Sequence, residues 1–156
     1  GPFQSQLTED HDSFVDIVST GFGFGVSERI IDLIEKIEPG VHRFLPFEFL
    51  RPDGAAHPDR RWILNICSRA EVIDVERSHV QWMKPPLDFQ FMDLPGDPLL
   101  FAKAAEAGKR ALWCEWRYTK GAYRNIASDA LWEGLTEMGA RGWAPKRGYP
   151  QQIVEV

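Results

Sequence analysis

Histidine and cysteine are the side chains most able to hold a metal, and their spacing here argues against one. His11, His42, His57 and His79 stand 31, 15 and 22 residues apart, and neither Cys67 nor Cys114 has a partner two to five residues away. A zinc site draws on converging Cys or His ligands, marked in sequence by paired short spacings. No metal is implied, and His42 reads as a strand residue with a satisfied hydrogen bond. Both cysteines lie in apolar stretches and read as buried free thiols, with a single long-range disulfide as the alternative.

Nucleophilic and phosphate chemistry are no better supported. Gly25-Val26-Ser27-Glu28-Arg29 opens like a nucleophile elbow but lacks the glycine that should follow the serine. Ser27 already has a structural role as a helix cap, and Ser128 repeats it without neighbouring glycines. Gly21-x-Gly23-x-Gly25 precedes a helix, yet its third glycine comes one residue too early for a dinucleotide loop. Phe22 and Phe24 fill the space a phosphate would need, so a glycine-kinked connection with both aromatics packed inward is expected. Asp74-x-Glu76 would share one side of an extended segment, but without a converging second group it reads as a solvated face. An enzyme would have to rest on Ser27 or on the Gly21–Gly25 segment, and no cofactor is implied.

Charge placement carries more information. Of 156 residues, 23 are acidic and 18 basic, for a net charge of −5. That charge is unevenly spread: residues 1–99 hold 17 acids and nine bases, whereas residues 100–156 hold six acids and nine bases. The total opposes a general nucleic-acid binder, although the basic 109–147 region, interleaved with aromatics, leaves an RNA-binding module as an alternative. The acidic part favours a basic protein partner. Trp82 beside Asp88, Asp93 and Asp97, with Asp74 and Glu76 next, is the expected contact set, since Trp, Tyr and Arg anchor interfaces and the acids suit a basic partner.

These groups must be carried by ordered elements. Residues 1–13 are polar and read as a flexible N-terminus, with Gly1-Pro2 resembling a protease scar, ahead of a single domain over 14–156. Ser27, then Ile30, Ile31, Ile34 and Ile37, then Pro39-Gly40, predict a capped helix. Residues 41–50 and 61–69 predict a long-looped hairpin, with Pro46 marking an edge or bulge. Residues 72–75 continue extended, and Leu87, Phe89 and Phe91 alternate as a half-buried strand. Asp97-Pro98 opens a helix that Gly108 ends. Ala111–Tyr118 is a strand with Leu112, Cys114, Trp116 and Tyr118 on one face, and Ser128 caps a last helix carrying Leu131, Trp132 and Leu135. Trp62, Trp113, Trp132 and Trp143 are expected in the core.

Ser27-x-x-Ile30-Ile31-x-x-Ile34 with Phe44-Leu45-Pro46 is echoed by Ser128-x-x-Leu131-Trp132-x-x-Leu135 with Trp143-Ala144-Pro145. This helix–strand pseudo-repeat makes Ser27, Ser128, Pro46 and Pro145 structural. The expected class is α+β, a mainly antiparallel sheet with two or three helices. No apolar run reaches the ~20 residues a membrane helix needs, and no basic-then-apolar leader is visible, so a cytoplasmic protein is expected.

The order of Val26-Ser27-Glu28-Arg29, Phe44-Leu45-Pro46-Phe47, Trp62-Ile63-Leu64-Asn65-Ile66 and Val72-Ile73-Asp74-x-Glu76-x-Ser78 resembles one immunity-protein family of bacterial polymorphic-toxin systems. That family was first catalogued as a domain of unknown function and is named for a myxobacterial immunity protein. Ile126-Ala127-Ser128-Asp129-x-Leu131 and Gly142-Trp143-x-Pro145 resemble its closing helix and strand. The resemblance covers about residues 14–147 and implies a non-enzymatic inhibitor that binds a cognate toxin, often a nuclease, in the producing cell. The shared residues are largely caps and core positions. Segment 79–110 matches least, which is where a pair-specific surface would lie.

Overall fold

The computed structural model describes residues 1–84, 88–91, 100–115, 125–143 and 153–155. The chain gathers into two compact units, residues 1–66 with 130–143 and residues 67–129 with 144–156.

The first unit is built on one sheet. Its strands are β1 (Phe3–Gln6), β2 (Ile17–Ser19), β3 (Phe24–Val26), β4 (Arg43–Leu50) and β5 (Arg61–Asn65), in the order β1-β4-β5-β3-β2. Only the β1–β4 pairing is parallel. Within the stretch that composition reads as a flexible tail, Phe3–Gln6 takes up the open edge of β4, with Phe3 opposite Phe47. The predicted hairpin is present as β4 and β5, with Leu45 opposite Ile63. Pro46 sits one residue before β1 joins, so its missing N–H falls where β4 is still an edge. Phe47, Phe49 and Ile63 form a buried cluster covered by Leu7, Phe14 and Val18, and Phe14 stacks on Phe49 at 4.1 Å. Each large apolar side chain so buried stabilises the fold by about 1.5–3 kcal/mol.

The glycine segment is the turn of the β2–β3 hairpin. The Thr20 amide donates to the Gly23 carbonyl at 3.0 Å, and Gly21 and Gly23 have φ of +79° and +135°. The expectation that Phe22 and Phe24 pack inward fails, since they are 60% and 47% exposed. Phe22 stands at the tip of this tight turn and leans outward on Phe3 and Phe47, at ring separations of 5.7 and 6.4 Å.

Helix α1 (Glu28–Ile37) follows the predicted isoleucine period and buries Ile30 and Ile34. Ser27 occupies the N-cap, but its hydroxyl makes no capping bond and donates instead to Asp16 Oδ1 at 3.0 Å. The predicted cap is therefore corrected: the hydroxyl is turned to donate to the Asp16 carboxylate, and its oxygen accepts no first-turn amide. The second helix of this unit, Asp129–Glu137, buries Leu131 and Leu135 and ends in a Schellman-type closure, with Gly139 at φ +60° and the Ala140 amide donating to the Leu135 carbonyl. Leu33 lies against Gly134, and Arg29 Nη1 donates to the Met138 carbonyl, so the two helices run antiparallel. Trp132 is 43% exposed, which corrects its expected place in the core. It falls beyond the stripe that Leu131 and Leu135 bury. Both helices of the pseudo-repeat are present, and Ser128 stands before the second one; Pro145 lies outside the described residues.

The second unit contains β6 (Arg69–Ala70), β7 (Val80–Lys84), β8 (Asp88–Phe91), β9 (Leu100–Ala102), the single-turn helix α2 (Ala104–Ala107), β10 (Leu112–Glu115), β11 (Asn125–Ala127) and β12 (Ile153–Glu155). The helix opening the pseudo-repeat's second half is accordingly α3. Strands group as β11-β10-β6, β12-β9 and β7-β8. Ala70, Val72, Ala102, Ala107 and Trp113 form its core, with Ile126 packed on them.

Three expectations change here. The helix predicted from Asp97-Pro98 to Gly108 shrinks to α2, because Leu100–Ala102 is strand paired in parallel with Ile153–Glu155. The Phe101 carbonyl also accepts the Asp74 amide, which holds the strand against its local helix signal. Residues 72–74 run extended, with Ile73 bridged to Ala102, but the chain turns at Val75, where the Ser78 amide reaches back to the Asp74 carbonyl at 3.0 Å. The predicted strand is present as β10, with all four of its residues buried; Trp116 and Tyr118 lie outside the described residues. Both cysteines are free, Cys114 buried as expected but Cys67 exposed. The α+β class holds, with antiparallel pairings predominating.

Candidate partner-binding surface

The groups closest to a catalytic arrangement converge on Asp16, which is nearly buried. Its carboxylate accepts Ser27 Oγ, Arg29 Nε at 2.6 Å, Arg29 Nη2 and the Arg141 amide at 2.9 Å. Arg29 chiefly, against the opposing effect of burial and with help from the Arg141 amide and Ser27, holds this carboxyl well below the usual carboxylate range. Such an acid is a poor general base, and none of its partners is a histidine that could activate Ser27. The constellation fastens β2 to the start of α1 and the exit of α3.

Other buried polar groups are also structural. Arg61 pairs with Asp59 and donates to the carbonyls of Phe14 and Val15, so it ties β5 to the segment covering the sheet. His57 Nδ1 accepts the Asp59 amide while Nε2 donates to the His11 carbonyl at 2.6 Å, which uses both ring nitrogens. His42 Nε2 meets Glu38 Oε2 at 3.1 Å, so its satisfied bond is present, just ahead of β4 rather than inside it. In the second unit, Glu115 is fully buried and its Oε2 accepts the amides of Val72 and Ile73 at 2.8 and 2.9 Å. Burial raises the Cys114 thiol, so it is not a reactive thiolate at neutral pH. Among the described residues no cluster of three or more His, Cys, Asp or Glu could hold a metal.

The predicted contact residues are only partly assembled. Trp82, in β7 opposite Phe89, is half-buried and packs with Val75 and Val80 around Ile73. Asp74 organises a turn, its Oδ1 accepting the amides of Glu76 and Arg77 at 3.2 and 3.3 Å. Glu76 is exposed, and Asp88 opens β8 at the position paired with Lys84. Asp93 and Asp97 lie outside the described residues.

Two exposed features escape the sequence reading. One is apolar: Phe3 and Leu45 line an open depression of ≈ 500 Å³ together with Pro2, Pro46 and Glu48, and the exposed Phe22 leans on Phe3. Its lining joins the start of the chain and β1 to β4, so no local pattern announces it. The other is the outer side of α3, where Asp129, Trp132, Glu133, Thr136 and Glu137 are all exposed. The i, i+4, i+8 spacing of its acids was readable, but the expectation that Trp132 is core concealed it. Its indole stands edge-on to Trp143, rings 4.3 Å apart at 84°, and Trp143 Nε1 donates to the Ala140 carbonyl. Exposed aromatics ringed by polar groups are what protein interfaces use.

Among the described residues no helix is long and apolar enough to cross a membrane. No curated protein matches the chain. A family model does, that of an immunity protein family (Imm11), over residues 4–147. That span includes the Asp16 fastening, the sheet of the first unit, Glu115 and α3, and on it the chain belongs to the immunity protein family Imm11.

Proposed function

We propose that this chain protects the cell that makes it, by binding a cognate secreted bacterial toxin in the cytoplasm and blocking it without catalysis. The family match over residues 4–147 carries this reading. The geometry supports it, because the buried polar groups act as fasteners whereas the exposed features are those of a binding protein. A nuclease toxin suits the acidic chain, since a basic substrate cleft would attract it and salt would weaken the approach. The acid-rich stretch with Glu76, Asp88, Asp93 and Asp97 around Trp82 is one proposed contact region, with Asp74 shaping its first turn.

Co-expression with the toxin encoded beside this chain's gene tests the reading. Cells carrying both should grow, and the two proteins should purify together. Death of those cells while the chain accumulates in folded form would refute it.

A further inference from the structure

The five-stranded sheet of the first unit has one closed end and one open end. At β2 the Ile17 amide donates to the Arg141 carbonyl at 3.1 Å and Gly142 packs on the Ile17 carbonyl, so that edge is covered. At the other end stands β1. Main-chain groups alternate in direction along a strand, and two bonds fix their phase here. The Leu7 amide donates to the Leu50 carbonyl at 2.8 Å, whereas the neighbouring Phe49 carbonyl turns the other way and accepts the His57 amide. The main chains of Phe3, Ser5 and Leu7 therefore face β4, and those of Gln4 and Gln6 face outward. Among the described residues nothing bonds to these outward groups.

Sheets guard such an edge with lysine, proline, a bulge or a covering segment. Phe3-Gln4-Ser5-Gln6 carries no charge and no proline, and Pro2 precedes both outward amides. The nearby Glu48 carboxylate is already taken by Gln4 Nε2, at 3.0 Å. An unguarded edge accepts a strand, and the chemistry of β1 selects which one. A basic surface finds no free charge on this strand to pair with. A second copy matches it residue by residue. Antiparallel pairing about a two-fold axis at Ser5 sets Gln4 opposite Gln6 of the other copy, and Phe3 opposite its Leu7. The outward amides and carbonyls of Gln4 and Gln6 then satisfy one another across the axis. Phe3, 46% exposed, gains an apolar neighbour on the face it shares with Phe47. No like charges meet between the strands.

We propose that the outer edge of β1 pairs with the same edge of a second copy of this chain, joining two sheets into one across a two-fold axis. Such a contact uses one patch on both copies and closes at a dimer. It is small, so the pairing is weak and reverses on dilution. It goes beyond the toxin-binding reading and does not depend on it.

The test is sedimentation of the full chain alone, from about 1 µM to about 1 mM, at about 50 mM and about 500 mM salt. The mass should rise from one chain to two with concentration. Each copy carries −5, so added salt should strengthen the pairing, the reverse of its effect on a basic partner. Gln4→Pro removes an outward donor while leaving the β1–β4 bonds, and should weaken the dimer about tenfold or more. Gln4→Lys/Gln6→Lys sets lysine against lysine and should weaken it as much, although it lowers the net charge that opposes association. Both of its side chains are exposed, so this variant should melt within about 2 °C of the parent. In the parent, the Gln4 and Gln6 amides should exchange hydrogen more slowly at the high concentration than at the low one. A single-chain mass at every concentration would overturn the proposal, and loss of toxin binding in the same variants would then give the edge to a strand of the toxin. A dimer that both variants leave unchanged would also overturn it, by placing the contact elsewhere.

Discussion

Asp16 draws four donors onto two oxygens, and those donors come from positions 27, 29 and 141. Because its folded pKa lies below its unfolded value of about 3.9, the ionised carboxylate stabilises the fold above about pH 4. That stabilisation is lost as pH falls below this range and the group protonates. Asp16→Asn should therefore melt lower than the parent at neutral pH and show a flatter loss of Tm on acidification, as circular dichroism melts would show. Ser27→Ala should cost about 1 kcal/mol in urea unfolding, as a lost bond to a charged acceptor rather than a lost cap. A cost that stayed the same in the Asp16→Asn background would show that the serine acts elsewhere. None of this was legible beforehand, because Ser27 and Asp16 are 11 residues apart and Arg141 is 125 from Asp16. Serine at the start of a helical period did point to the right position, with the wrong partner.

At the scale of elements, what the sequence announced depended on whether the stabilising contacts were local. Helix α1 was readable because its apolar period, acidic first turn and Pro-Gly stop all lie within the helix or beside it. The β4–β5 hairpin was readable for the same reason. Strand β9 was not: its partners are β12 and the Asp74 turn, and a local Asp-Pro helix signal prevailed over neither. Glu115 shows the same limit, since the amides it accepts lie 43 and 42 residues away. Its removal should be severe. Glu115→Ala strands two buried amides and should cost about 3 kcal/mol by denaturant titration, with Glu115→Gln costing less because an acceptor remains. Gly142 supplies a second test in the first unit. It has φ +92°, and a Cβ there would collide with the Ile17 carbonyl and come within 2.6 Å of Val15 Cγ2. Gly142→Ala should lower stability by about 3 kcal/mol, combining backbone strain with overpacking. A thermal midpoint equal to the parent's would mean that this junction is looser than the structure describes.

For the whole molecule, the net charge of −5 conceals unlike parts, with an excess of eight acids in residues 1–99 and of three bases in residues 100–156. The division by sequence is not uniform within each part: α3 carries Asp129, Glu133 and Glu137 within the basic one. Family membership was legible in the order of several fold segments, and the match over residues 4–147 bears it out. The binding surface was not, because the residues that the sequence shares with its family are those that make the fold. The central claim is inhibition by binding. It is tested most directly by adding the purified chain stepwise to a fixed amount of the toxin encoded beside its gene and following toxin activity. Activity should fall in proportion to added chain and vanish at a fixed molar ratio, in a complex that survives gel filtration. Undiminished activity in the presence of excess folded chain would contradict the account.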